Sequence, residues 1–322
     1  MKAIGGYFEL ECGKTPLYHG EGVNLNNCRN AIRYIIRALG IRRIHLPFYT
    51  CHVVAEAIAQ EGCEIHRYSL DRDMMPTINF PKDDFIIYNN YFGVLGKNVE
   101  TLSKIYPNLI VDNAQAFYSR PECRAAVYSP RKFFGLPDGG ILIGRDIPKL
   151  ELEQGTSIGQ TSHLLKRLEF GAQSGYPDFV TNDKRLDDYP IQSMSNLTLA
   201  LMGNIDYEAA KQRRLENFRY LSQHLNTDFP IAMSSDDVPL VFPYLTDNCS
   251  PLRDHLISNN IFCAKYWPNV LEETSSDSIE HCLASNVISL PIDQRYSEQD
   301  MIIILKIMYI QVFSYYLLYT LI

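Results

Sequence analysis

Residues 108–144 read NLIVDNAQAFYSRPECRAAVYSPRKFFGLPDGGILIG. Leu109-Ile110-Val111 is a short apolar run that stops at Asp112. A second run, Ala125-Ala126-Val127-Tyr128, leads into Ser129, Pro130, Arg131 and Lys132. A third, Ile141-Leu142-Ile143, follows the turn Pro137-Asp138-Gly139-Gly140. Apolar runs of this length, bounded by Gly, Pro and Asn, predict buried strands. An acid ending one strand and a lysine just past the next then share one rim of a sheet. Open α/β folds place their ligands on that rim.

Asp112 and Lys132 stand 20 positions apart (132 − 112). Such a pair suits pyridoxal 5′-phosphate. A lysine amine forms a Schiff base with the cofactor's aldehyde, and a carboxylate keeps the pyridine nitrogen protonated. From spacing and strand context alone, a surface salt bridge or two solvated charges is the commoner meaning.

The order Asp112-Asn113-Ala114-Gln115-Ala116, then Pro130-Arg131-Lys132, then Gly139-Gly140, resembles the DegT/DnrJ/EryC1/StrS sugar aminotransferases. That family carries Asp-x-Ala-Gln, a lysine some twenty residues on, and Gly-Gly seven and eight residues after the lysine. The resemblance extends to Asn30-Ala31-Ile32 through Gly40, His45-Leu46-Pro47-Phe48-Tyr49-Thr50, Tyr91-Phe92-Gly93 and Ser289-Leu290-Pro291. It implies a fold-type-I transferase: a large, mainly parallel sheet domain of seven-stranded type and a small C-terminal α/β domain. The expected division is 1–205, 206–301 and an apolar tail at 302–322.

Composition fits this class. The chain has 322 residues, 46% hydrophobic and 21% charged, so one large and one smaller domain are expected. A net charge of −7 argues against a nucleic-acid partner, which needs a basic surface. Eight cysteines without a Cys-x-x-Cys pair argue against a zinc site and for reduced thiols in a cytoplasmic protein.

For the site, the resemblance implies that Lys132 holds the cofactor and shuttles protons, that Asp112 pairs with the ring nitrogen, and that Gln115 bonds the phenolic oxygen. Asn26-Asn27 cap a helix running to Leu39 and ended by Gly40, and a helix start can hold a phosphate. Cys28 and Arg29 occupy the family's Gly-Thr pair there. Arg29 is either a phosphate ligand or a solvated first-turn residue. Three positions depart from the family: Cys51 replaces a ring-stacking aromatic, Val127 a phosphate-binding Ser, and Ile191 an Asn from the partner subunit, with Ser193 where an Arg follows. Tyr49 or His52 could replace the stacking ring and Ser129 the missing Ser, with Arg131 also near the phosphate. Lys265-Tyr266-Trp267-Pro268 falls at a substrate-facing loop of the family.

The implied reaction moves an amino group from an amino acid, glutamate in the family's usual case, to a keto sugar, nucleotide-linked, in a homodimer. Polysaccharide or antibiotic-sugar biosynthesis is the setting the resemblance suggests. The rivals are another pyridoxal-phosphate reaction on an amino acid, and a catalytically degenerate binding protein. The end of the chain, MIIILKIMYIQVFSYYLLYTLI from Met301, is apolar enough to be a buried helix, an interface helix or a membrane tether.

Overall fold

The computed structural model describes residues 4–187 and 189–319, without the side chains of 310–319. The first half holds strands β1 (Val23–Leu25), β2 (Arg43–Pro47), β3 (Glu64–Tyr68), β4 (Phe85–Asn89), β5 (Leu109–Asn113), β6 (Ala125–Tyr128) and β7 (Gly140–Gly144). Helices α1 (Cys28–Leu39), α2 (His52–Gln60) and α3 (Gly96–Ile105) alternate with them. Then come β8 (Glu153–Gln154), α4 (Ser162–Phe170), α5 (Ala172–Arg185), β9 (Gln192–Ser193), α6 (Asn196–Met202) and α7 (Tyr207–His224). The chain ends with β10 (Val241–Leu245), α8 (Cys249–Ser258), α9 (Val270–Glu273), α10 (Ile279–Asn286), β11 (Val287–Pro291) and α11 (Glu298–Tyr319).

The large sheet runs β3-β2-β4-β5-β6-β7-β1, and the short β9 and β8 extend it past β1. The pairs from β3 to β6 are parallel, while β7 lies antiparallel to both β6 and β1. The expected seven strands are therefore present, with two two-residue strands added. Leu109, Ile110 and Val111 are at most 1% exposed. Burial of such side chains contributes about 1.5–3 kcal/mol each, so alternation is absent where both faces are covered.

Local signals set most boundaries. Asn27 caps α1 by accepting from Asn30 N–H, and Gly40 closes it at φ 61°. The stretch after Met194 is two helices, α6 and α7, and Asp206 caps the second through Ala209 N–H. Tertiary contacts set others. The sequence predicts a helix from Asn98 to Ile105; helix α3 begins two residues earlier, at Gly96, because Asp237 accepts the Gly96 N–H at 2.8 Å.

In the C-terminal half β10 and β11 form an antiparallel pair. The apolar run Ile261-Phe262-Cys263 predicts a strand, which does not form. Arg253 Nε donates to Cys263 O at 3.1 Å, which leaves only a single bridge from Ala264 to Ser289. Helix α11 starts on Ser297, whose N–H and hydroxyl both donate to Asp300. Its Met301, Ile304, Leu305 and Met308 are buried in the same apolar cluster as Tyr91 and Phe242. Among the described residues no helix is long and apolar enough to cross a membrane. The side chains of 310–319, and residues 320–322, which complete the tail of 302–322, lie outside the described part.

Candidate active site

The parallel strands end on one rim, and Asp112, Lys132 and the starts of α1 and α2 gather there. In the ladder Asp112 faces Val127 and Asn113 faces Tyr128. Lys132 follows Tyr128 by one short 3-10 turn, Pro130–Lys132. Asp112 is 8% exposed; its Oδ1 accepts from Ala114 N–H at 2.8 Å, and Oδ2 takes no hydrogen bond among the described residues. Burial pushes the Asp112 carboxyl above its ordinary range, and the Lys132 ammonium pulls it back. Lys132 is exposed, with Nζ 6.0 Å from the centre of the Tyr266 ring.

Two helix starts face the same point. Cys28, first residue of α1, and Cys51, which precedes α2, each feel the charges of Asp112, Lys132 and Arg29. Burial is the main reason both thiols are held above their usual range. The Cys28 and Arg29 N–H groups have no acceptor among the described residues. They form the open, positive end of α1. Gly139 N–H donates to Asn26 O at 2.7 Å, which seats the Gly-Gly turn directly beneath this helix start. A Cβ on Gly140 would lie 2.5 Å from Cys28 N and nearer still to the Asn27 carbonyl. The turn itself is fixed by Asp138, which accepts from Ser195 N–H (3.1 Å) and from the Ser195 hydroxyl (2.9 Å).

Gln115 is 4% exposed, and its Oε1 accepts from Phe92 N–H at 2.9 Å. Its Nε2 is buried without a partner. An unmade bond of that kind is expensive in a protein interior, so it marks where an acceptor belongs. Ser129 is 8% exposed and its hydroxyl makes no hydrogen bond among the described residues. Arg29 forms an ion pair with Asp187. Arg131 pairs loosely with Asp183, at 3.4 Å.

Tyr49 does not lie open to the rim. It is fully buried, stacked on Tyr91 (5.3 Å, 24°) and edge-on to Trp267 (5.0 Å). His52 is exposed and caps nothing; the residue before α2 is Cys51. The ring that does stand beside Lys132 and Cys51 is Tyr266. Val127 is fully buried within β6, Ile191 packs against the core under α1, and Ser193 donates its hydroxyl to Glu153 O. None of the three thus offers a free polar group to the rim.

Several contacts escaped the sequence reading. Thr50 accepts from Asn89 Nδ2 at 2.9 Å, and Asn269 Nδ2 donates to the Thr50 carbonyl at 3.1 Å. His19 lies beneath the rim, fully buried, with Nε2 2.6 Å from Phe117 O and its ring 4.1 Å from that of Tyr128. Burial holds this imidazole down at about 4. The segment 231–240 crosses the loop after β4: Ala232 N–H donates to Val94 O, Lys97 N–H to Ala232 O, and Leu240 N–H to Phe92 O.

No protein-family model and no curated protein matches the chain. Solved structures do. An aminotransferase TlmJ from Streptoalloteichus hindustanus superposes with a TM-score of 0.63 at 16% identity, over 91% of this chain and 86% of that one. A putative sugar aminotransferase from Streptococcus pneumoniae, Spr1654 in its PLP form, gives 0.59 at 13%, over 89% and 86%. A DegT DnrJ EryC1 StrS aminotransferase from Brucella abortus gives 0.57 at 16%, over 89% and 85%. The fold is thus that of fold-type-I pyridoxal-phosphate aminotransferases.

Proposed function

We propose that the chain is a pyridoxal 5′-phosphate-dependent aminotransferase acting on a keto sugar, nucleotide-linked, with an amino acid such as glutamate as donor. One observation carries the reading. Asp112 with an open oxygen, Gln115 with an orphaned amide and Lys132 with an exposed amine converge on the strand-end rim of this fold. That donor set fits the cofactor's ring nitrogen, ring oxygen and aldehyde in turn, and the open start of α1 fits its phosphate.

When bound, the cofactor supplies an aldehyde that takes up the amino group and a ring that withdraws electrons from the α-carbon. The residues do the rest. Lys132 Nζ takes a proton at the substrate carbon and returns it, acting as base and then acid. Asp112 Oδ2 would accept from the protonated ring nitrogen, and Gln115 Nε2 would donate to the ring oxygen. The N–H groups of Cys28 and Arg29, with the Ser129 hydroxyl, would hold the phosphate. The centre of the Tyr266 ring stands 6.0 Å from the Lys132 amine. We also propose the division 1–205 and 206–301, a homodimer, and a cytoplasmic setting. The exposed apolar residues of the α4–α5 hairpin, Leu168 at 81% and Phe170 at 73%, support the dimer.

The test is the absorption spectrum of protein given pyridoxal phosphate, wild type beside Lys132→Ala. A near-visible band that requires Lys132 and bleaches with glutamate, yielding 2-oxoglutarate, is expected. No band in wild-type protein overturns the proposal. A second reading, a binding protein that has lost catalysis, draws on the buried Val127 and the missing ring at Cys51. It predicts weak retention of the cofactor after purification and no bleaching with glutamate.

A further inference from the structure

Arg214, in α7, is 1% exposed, yet no carboxylate lies within ion-pair distance of it among the described residues. Its guanidinium ends on neutral oxygens of three separate segments. Nε donates to Gln294 Oε1 at 2.9 Å; Nη1 reaches Leu240 O (3.1 Å) and Pro239 O (3.3 Å); Nη2 reaches Phe133 O (3.3 Å). Its Cζ sits 4.5 Å from the centre of the Phe133 ring. Gln294 Nε2 donates to the same Phe133 carbonyl at 2.7 Å. The carbonyl next after Lys132 therefore receives two donors, both from the C-terminal half.

That turn needs outside support. It is a single 3-10 turn, held internally by Lys132 N–H to Ser129 O (3.1 Å) and Phe133 N–H to Pro130 O (3.0 Å). Short 3-10 turns have poor hydrogen-bond geometry and little stability of their own. A buried cation is costly, and an apolar side chain would fill the space with less penalty. The rigid fork of an arginine does what an apolar residue cannot: it joins three chain segments in one plane.

We propose that Arg214, acting with Gln294, is the positioning residue that fixes the Lys132 turn to the C-terminal half and so aims the lysine amine. Its catalytic consequence rests on Lys132 being the reacting amine; the anchoring itself does not.

The experiment compares the full chain with Arg214→Met and Gln294→Glu. The glutamate keeps an acceptor for Arg214 and loses the donor to Phe133 O, so it leaves the cation paired if Arg214→Met fails to fold. Amide hydrogen exchange in peptides covering 129–136 is expected to rise at least tenfold in both, with β5 peptides unchanged. Borohydride trapping of pyridoxal phosphate on Lys132, read by peptide mass, is expected to slow at least tenfold. Binding of pyridoxamine 5′-phosphate, which has no aldehyde, should change less than threefold. Unchanged exchange over 129–136 in folded variants overturns the anchoring, as does a parallel rise in β5. Faster exchange with unchanged trapping overturns the aiming of the amine. A wild type that traps no cofactor overturns the assignment of Lys132 instead, and the exchange result still decides the anchoring.

Discussion

The close seat of Gly140 under α1 gives a sharp prediction for Gly140→Ala. The added Cβ would stand 2.5 Å from Cys28 N, and closer to the Asn27 carbonyl, where ordinary contacts are about 3.5 Å. All of these atoms are backbone, so no side chain can swing aside. Either the turn or the helix start must retreat by about 1 Å. Overpacking of this kind costs roughly 1–3 kcal/mol, and a clash on two fixed backbones belongs near the upper end. For a chain of this size that is a fall of about 4 °C in Tm. The displaced element is the proposed phosphate end, so the loss should depend on the ligand. Affinity for pyridoxal 5′-phosphate should fall at least tenfold, while that for pyridoxal, which has no phosphate, should fall less than threefold. Gly20→Ala, whose Cβ would meet nothing nearer than 3.4 Å, is the control and should change neither. Titration calorimetry with both ligands and thermal unfolding give the readouts. A Gly140→Ala protein with wild-type Tm and an unchanged affinity ratio would refute the reasoning.

Asp112→Asn should abolish most activity, by about 100-fold or more, yet stabilise the ligand-free protein at pH 7. The Asp112 carboxyl is raised in the folded state mainly by burial, so folding favours its protonated form. The associated destabilisation appears as pH rises from the ordinary carboxylate range through the raised folded value, and persists above it. Urea midpoints at pH 7 that are equal for the two proteins would contradict this. His19 behaves in the opposite sense. Its folded value of about 4 lies below the unfolded 6.5, so stability is complete above pH 6.5 and is lost as pH falls toward 4. By pH 5 the wild type should have lost about 2 kcal/mol that His19→Gln does not lose. Parallel pH profiles for the two would exclude His19 as the source.

Much of the frame could be read from short-range chemistry. The apolar runs, the Asn27 cap and the left-handed Gly40 state their own conformation, and Asp112 and Lys132 met as strand order required. The misses share a cause. The start of α3 depends on Asp237, and the loss of the predicted strand at 261–263 on an arginine side chain that takes Cys263 O. Tyr49, singled out beside Thr50, proved to be core because Tyr91 and Trp267 close over it from loops far along the chain. A ring beside Lys132 is instead that of Tyr266, its centre 6.0 Å from the lysine Nζ. Long-range partners of this kind leave no periodicity or cap in the sequence around the residue they decide.

The strap at 231–240 carries a consequence for how the chain is made. Phe92 O, Val94 O and Gly96 N–H find their partners only at Leu240, Ala232 and Asp237, well over a hundred residues later. Synthesis at about 5–20 residues per second leaves these groups to water for many seconds after β4 and β5 have emerged. Phe133 O takes one such donor from Arg214, 81 residues on, and gains its second, from Gln294, only after the strap has been made. The nascent chain can therefore hold a formed sheet with an unfinished rim. A fragment ending before residue 231 would keep the strands but not the loop they present.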